Sequence, residues 1–175
     1  HLWISKELWN KLIEETIKQG KQVLYLLPEI ALTTQVVSRI KKYFGDQLGV
    51  YHSRFNENER VEIWNMINKS GVSPKSQAPS PIPQENSQDA LPIAIGTLPL
   101  WGSRRGPQVI LGARSALFLP YSNLGLVIVD EEHDASYKQF DPAPRYNARD
   151  AAILLAGIHK AKVLLGSATP SVESF

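Results

Sequence analysis

Apolar residues recur at helical spacing in four segments, and short apolar runs of strand length lie between them. Lys6 to Gln19 carries Leu8, Leu12 and Ile13 on one face and stops at Gly20. Ile30 to Phe44 carries Val36, Val37, Ile40 and Phe44 and stops at Gly45. Asn56 to Lys69 opens with Asn56 and Glu59 at capping-box spacing and carries Val61, Trp64 and Ile67. Ala148 to Lys160 opens after Asn147. The strand-length runs are Gln22 to Leu27, Leu48 to His52, Gln108 to Leu111, Leu126 to Val129 and Lys162 to Leu165. Helices alternating with short apolar strands predict an α/β fold with a parallel sheet covered on both faces. One stretch breaks the pattern. Ser70 to Pro92 is dense in Pro, Ser, Gln and Asn. It holds too few large apolar residues to offset the entropy of ordering it, so it reads as a disordered surface insertion. The insertion is taken as residues 70–107, with Leu98, Leu100 and Trp101 offering partial docking.

Length and composition narrow the class without naming a function. A chain of 175 residues fits one domain and can bury a full core. Apolar content of 43% and charged content of 21% are ordinary for a globular protein. A net charge of +2 does not by itself argue for nucleic acid, so only local clustering of cations can. With zero cysteines, disulfides and thiolate metal sites are excluded from this chain, as fits a reducing cytoplasm. No apolar run reaches membrane-span length and no signal peptide opens the chain, so no membrane partner is expected. The chain opens on His1 rather than Met and reads as a piece of something longer.

The sharpest chemical signal is Val127-Ile128-Val129-Asp130-Glu131-Glu132-His133. A strand ending in paired acids places them in the crevice at its carboxyl end. There Asp130 can hold magnesium and Glu131 can orient an attacking water. A solvated acidic turn is the bland alternative. His133 either bridges a nucleotide and a partner site by hydrogen bonding or has no chemical duty. Gly166-Ser167-Ala168-Thr169-Pro170 offers close backbone approach and two hydroxyls, or simply a turn closed by proline. Pro28 to Thr33 and Gly112 to Ala116 follow other strands, so a parallel sheet puts them on the same rim. Arg114 and helix-start amides there can grip phosphates, or can merely cap helices. Ser136 to Tyr146 interleaves Tyr137, Lys138, Phe140, Arg145 and Tyr146, followed by Arg149. Rings among cations suit single-stranded nucleic acid, although the rings can equally pack into the domain. The phosphate-cradling pattern of Gly, four residues and Gly-Lys-Ser/Thr is absent. Its nearest candidate, Gly20-Lys21, continues with Gln22 and precedes a strand.

Together these stretches closely resemble the primosomal replication-restart helicases (the PriA family), superfamily 2 DEAH-type DNA motors of bacteria. The matching stretches are Val23 to Thr33, Tyr51-His52-Ser53, Val109 to Phe118, Leu126 to Arg149 and Gly166 to Ser171. Asp-Glu-x-His alone is shared by many motors; its combination with Ser-Tyr-Lys-Gln and Pro-Arg-Tyr is far more specific. The resemblance implies a RecA-like (P-loop NTPase type) first motor domain, partial, over residues 1–175. It implies ATP and Mg2+ as cofactors of the parent protein, with Asp130 as the metal residue and Asp130, Glu131 and His133 as the catalytic set. Gln139, Ser167 and Thr169 would couple hydrolysis to strand movement. Thr33, Arg114, Tyr137, Lys138, Phe140, Arg145 and Tyr146 would contact forked or single-stranded DNA. Implied partners are a second helicase lobe and primosome proteins, in the cytoplasm, with 3′ to 5′ unwinding at stalled forks. The family's zinc-binding cysteines lie beyond this region.

Two departures stand out. Where the family has an opening strand and a phosphate loop, this chain reads His1-Leu2-Trp3-Ile4-Ser5-Lys6-Glu7. That strand normally lies inside the sheet, so stability as well as nucleotide binding is at stake; Trp3, Ile4 and Trp9 are candidates to fill the gap. The insertion also separates two strands that the family joins closely. The isolated chain is therefore expected to be inactive in ATP hydrolysis. A catalytically silent DNA-binding lobe and a different DExH translocase, such as an RNA helicase or restriction translocase, are the alternatives. A metal-dependent nuclease is disfavoured, since no further carboxylates are placed to build a second metal site.

Overall fold

The structure, a computed structural model, describes residues 6–51, 57–69 and 106–167. The elements in chain order are α1 (Lys6–Lys18), β1 (Gln22–Leu26), α2 (Thr34–Phe44), β2 (Leu48–Tyr51), α3 (Glu57–Lys69), β3 (Val109–Gly112), β4 (Leu124–Val129), α4 (Ala148–His159) and β5 (Lys162–Leu165). The strands form one sheet in the order β2-β3-β1-β4-β5. Every pairing in it is parallel.

Strand alternation divides the core in two. Leu24 and Leu26 of β1, Ile110 of β3 and Val127 and Val129 of β4 face Ile63 and Ile67 of α3 and Ala148, Ala152 and Ala156 of α4. Val23 and Tyr25 of β1, Leu111 of β3 and Leu126 and Ile128 of β4 face Trp9 and Ile13 of α1 and Val37, Ile40 and Phe44 of α2. Successive strand residues point to opposite faces, so a central strand covered on both sides must be apolar throughout. The sheet covered by helices on both faces is the expected RecA-like α/β architecture.

Several local expectations need correction. In α1, Trp9 and Ile13 are buried while Leu8 is exposed, so the inward face is rotated from Leu8 toward Trp9. In α3, Ile63 and Ile67, one helical turn apart, form the buried stripe, whereas Val61 and Trp64 face solvent. Ile30 is not helical in the α sense. It sits exposed in a 3-10 turn, Glu29–Ala31, and α2 begins at Thr34 because the Thr33 side chain caps it by accepting from Val36 N–H. β4 starts two residues earlier than expected and β3 runs on to Gly112. Asn56, His52 and Ser53 lie outside the described residues, as do residues 70–105 of the expected insertion. At its end the expectation is corrected: Pro107 is buried, and Gln108 N–H donates to Gln47 carbonyl at 3.0 Å, so the chain has rejoined the fold there.

β5 is an outer strand, with Lys162 and Val163 exposed. The opposite outer strand, β2, is largely buried. At Gly112, a Cβ would stand 2.6 Å from Ala116 Cβ and 3.0 Å from the Tyr51 carbonyl. Only glycine lets β3 pass into the turn Arg114–Phe118 so close to its neighbour.

Candidate functional site

A parallel sheet brings every strand's carboxyl end to one rim, and ligands bind where strand connections diverge. From β1 the chain leaves toward β2; from β4 it leaves toward β5 on the other side. The switch point therefore lies between β1 and β4. Asp130, the first residue past β4, sits there. Its N–H donates to Leu26 carbonyl at 3.0 Å.

Both carboxylate oxygens of Asp130 are held. Oδ2 accepts from the Tyr25 hydroxyl at 2.9 Å and Oδ1 from the Glu131 N–H at 3.0 Å. Burial first, and then the Asp130 charge, raise the Tyr25 hydroxyl well above the usual phenol range, so it stays protonated and donating. Glu131 adopts φ of 51°, an uncommon left-handed conformation for a non-glycine residue. That turn swings the chain sharply off the strand and leaves the Glu131 side chain half exposed on the rim. Non-glycine residues in this region cost of order 1–3 kcal/mol and gather at functional sites.

β5 completes the rim. Gly166 N–H donates to Val129 carbonyl at 2.8 Å, and Glu132 N–H donates to Gly166 carbonyl at 2.9 Å. A Cβ on Gly166 would stand 2.5 Å from the Trp9 ring and 3.4 Å from Asp130 Oδ1. Trp9 thus packs straight onto the glycine backbone beside the acid; Trp3 and Ile4 lie outside the described residues. One residue on, Ser167 Oγ lies 2.6 Å from His133 Nδ1, and Glu131 Oε2 is 3.8 Å from the same nitrogen. Asp130, Glu131, His133 and Ser167 are therefore brought together. Thr169 lies outside the described residues.

The oxygens of Asp130 and Glu131 suit a hard cation. Among the described residues no group of three or more His, Cys, Asp or Glu forms a metal cage. One or two carboxylates at a wet rim is the donor set magnesium uses when phosphates and waters supply the rest. The residues fit a metal–phosphate complex and do not fit an all-protein site.

The second expected group spans the loop after Asp130. Lys138 and Asn147 form an antiparallel bridge that closes the loop at its base. Inside it, Gln139 Nε2 donates to the carbonyls of Pro142 at 2.8 Å and Pro144 at 3.2 Å. The Gln139 amide thereby ties the loop's two proline segments together. Phe140, Lys138 and Arg145 are exposed, and Lys138 Nζ lies 4.9 Å from the Phe140 ring centroid. Tyr146 is partly buried and meets Phe118 edge-on at 5.3 Å. Arg114 donates from one guanidinium nitrogen to the carbonyls of Ser136 at 3.1 Å and Lys138 at 3.4 Å, tying the β3 turn to this loop. Thr33 is exposed at the rim, at the start of α2.

Tyr137 is the clear correction. Its ring is 1% exposed, so it has no face to offer a base. Its hydroxyl donates to Asp130 carbonyl at 2.6 Å and approaches Leu26 carbonyl at 3.2 Å. The packed-ring alternative is the one realised.

Sequence reasoning missed Tyr25, which reads as one more strand residue; no local signal marks its partner 105 positions away. It also missed Glu132, buried at 4% exposure, whose Oε2 is 3.3 Å from Arg149 Nη1 of α4. A third acid directly after the pair, with an arginine at a helix start, was the available signal. Phe118, 63% exposed, was overlooked because it follows an apolar run.

A RecA-like parallel sheet with acids at its switch point defines the class of P-loop NTPase-type domains, and comparison places the chain in it. Residues 7–172 match the family described as "Type III restriction enzyme, res subunit", and the chain belongs to that family. More particularly, it is similar to the replication restart protein PriA of Haemophilus influenzae (41% identical over 168 residues), Chlamydia pneumoniae (38% over 169) and Bacillus subtilis (36% over 169). These matches cover 96%, 97% and 97% of this chain but 18%, 18% and 16% of the respective relatives. The chain thus spans less than a fifth of the length of each of these three relatives.

Proposed function

We propose that the chain is part of the first motor lobe of an ATP-dependent DNA helicase that acts in replication restart. One observation carries the reading: Asp130 and Glu131 emerge at the β1/β4 switch point with His133 and Ser167 within hydrogen-bond reach of one another. The names of the PriA relatives support the restart role, and the family match supports a motor domain.

In this reading ATP and Mg2+ are cofactors of the parent protein. Magnesium, when bound, supplies charge neutralisation at the phosphates. Asp130 would hold it through an oxygen or a bound water, with Tyr25 fixing the carboxylate's orientation. Glu131 would orient the attacking water and accept its proton. His133 and Ser167 form the hydrogen-bonded relay from that pair toward β5, with Thr169 as a further coupling residue. Lys138, Phe140, Arg145 and Tyr146 would meet single-stranded or forked DNA, with Thr33 on the same rim. Arg114, bonded to the loop's backbone, would join that surface, and Gln139 would be a coupling residue within the loop. Partners are DNA, a second helicase lobe and primosome proteins, in the cytoplasm and with 3′ to 5′ movement. No described helix is long and apolar enough to cross a membrane.

The test is phosphate release by the full-length parent with and without forked DNA. Glu131→Gln is expected to lower it by at least about 100-fold, in the range of a general-base loss, while DNA binding persists. Wild-type turnover by that variant would overturn the assignment. The chain by itself is expected to show no DNA-stimulated hydrolysis. A second reading, a different DExH translocase, draws on the restriction-enzyme description of the matching family. Turnover stimulated by RNA or by unforked duplex in preference to forked DNA would favour it.

A further inference from the structure

We propose that Phe118, outside the aromatic loop, is a base-stacking residue that extends the surface of that loop to a second ring pair. The inference rests on the reading that this lobe contacts nucleic acid.

Phe118 closes the 3-10 turn Arg114–Phe118 that follows β3. Its chain neighbours are buried: Leu117 at 6% exposure and Leu119 at 7%. Ala116, fully buried, receives the Tyr121 hydroxyl on its carbonyl at 2.7 Å and the Leu119 N–H at 3.3 Å. The backbone beneath Phe118 is thus pinned on both sides, and the ring is held outward by a fixed turn. An exposed large ring on a fixed backbone has already met the ordering cost that stacking would otherwise demand.

Its surroundings point to the ligand. The Tyr146 and Phe118 rings meet at 81° with centroids 5.3 Å apart, which braces the Phe118 ring. The same turn is bonded through Arg114 to the carbonyls of Ser136 and Lys138, so Phe118 and the Lys138–Phe140 pair belong to one connected surface. Lys138 lies over the Phe140 ring, and Arg145, the residue before Tyr146, is exposed. Ring faces set among cations match a polyanion that also presents flat bases, namely an unpaired nucleic-acid strand. A purely apolar partner surface would leave the two cations without a counterpart.

The experiment uses the full-length parent protein and a fluorescent oligothymidylate, titrated at several salt concentrations. Phe118→Ala is expected to weaken binding about tenfold, within the range of one lost stacked base, with an unchanged salt slope because no cation is removed. Phe118→Trp should retain the affinity, and neither variant should move the melting temperature appreciably. If Phe118→Ala binds like wild type while Phe140→Ala is weakened, the inference fails and the nucleic-acid reading stands. If neither these variants nor Lys138→Ala changes binding, the nucleic-acid reading itself falls and takes Phe118 with it. If Phe118→Ala loses affinity only along with melting temperature, and Trp does not restore it, Phe118 is a packing residue and the inference is overturned.

Discussion

Tyr137→Phe removes a single oxygen from the centre of the site and leaves the ring that fills its buried space. That oxygen donates to Asp130 carbonyl at 2.6 Å, with Leu26 carbonyl at 3.2 Å as a weaker second acceptor. A net hydrogen bond contributes about 0.5–1.5 kcal/mol, and a buried acceptor left without its donor costs about 1–3 kcal/mol. A loss of about 1–2 kcal/mol follows, which for a chain of this length lowers the melting temperature by about 2–8 °C. Thermal unfolding followed by circular dichroism checks it. Tyr137→Ala should cost more, about 3–5 kcal/mol, because the ring's packing goes too. The pair of variants separates a framework role from base stacking. A stacking role needs only the ring, so it expects Tyr137→Phe to be silent in stability and in DNA affinity. A framework role expects lower stability and, in the parent, slower hydrolysis through a loosened Asp130. A melting temperature for Tyr137→Phe within about 1 °C of wild type would refute the reasoning.

Two further outcomes follow from the same geometry. Gly112→Ala forces a Cβ against Ala116 Cβ and the Tyr51 carbonyl, and should destabilise by about 1–3 kcal/mol in a denaturant titration. Asp134 is held below the usual carboxylate range by Ser136, whose N–H donates to Asp134 Oδ1 at 2.7 Å. Its lowered folded value means that its contribution is complete above about pH 4 and is lost as pH falls through the folded value. Asp134→Asn should therefore flatten the acid limb of a stability–pH profile and leave the neutral limb's slope unchanged.

The sequence by itself determined the kind of fold. Helical spacing and short β-rich apolar runs require a covered parallel sheet, because the central runs, Val23 to Leu27, Val109 to Leu111 and Leu126 to Val129, are apolar at successive positions and must be buried on both faces. It also determined that Asp130 and Glu131 leave the sheet at a strand's carboxyl end, since the apolar run stops at Val129. The resemblance supplied the chemistry expected there. What only the tertiary structure decided is which side chains meet. Tyr25 reaches Asp130 across 105 positions, and Ser167 reaches His133 across 34, through strand pairings that local periodicity does not encode. The division of the aromatic loop was equally hidden. Tyr137 and Phe140 look alike in sequence, yet one ring is 1% exposed and the other 62%. Burial depends on which neighbours the sheet brings over each ring, and that is a property of the assembled layers rather than of the local chain.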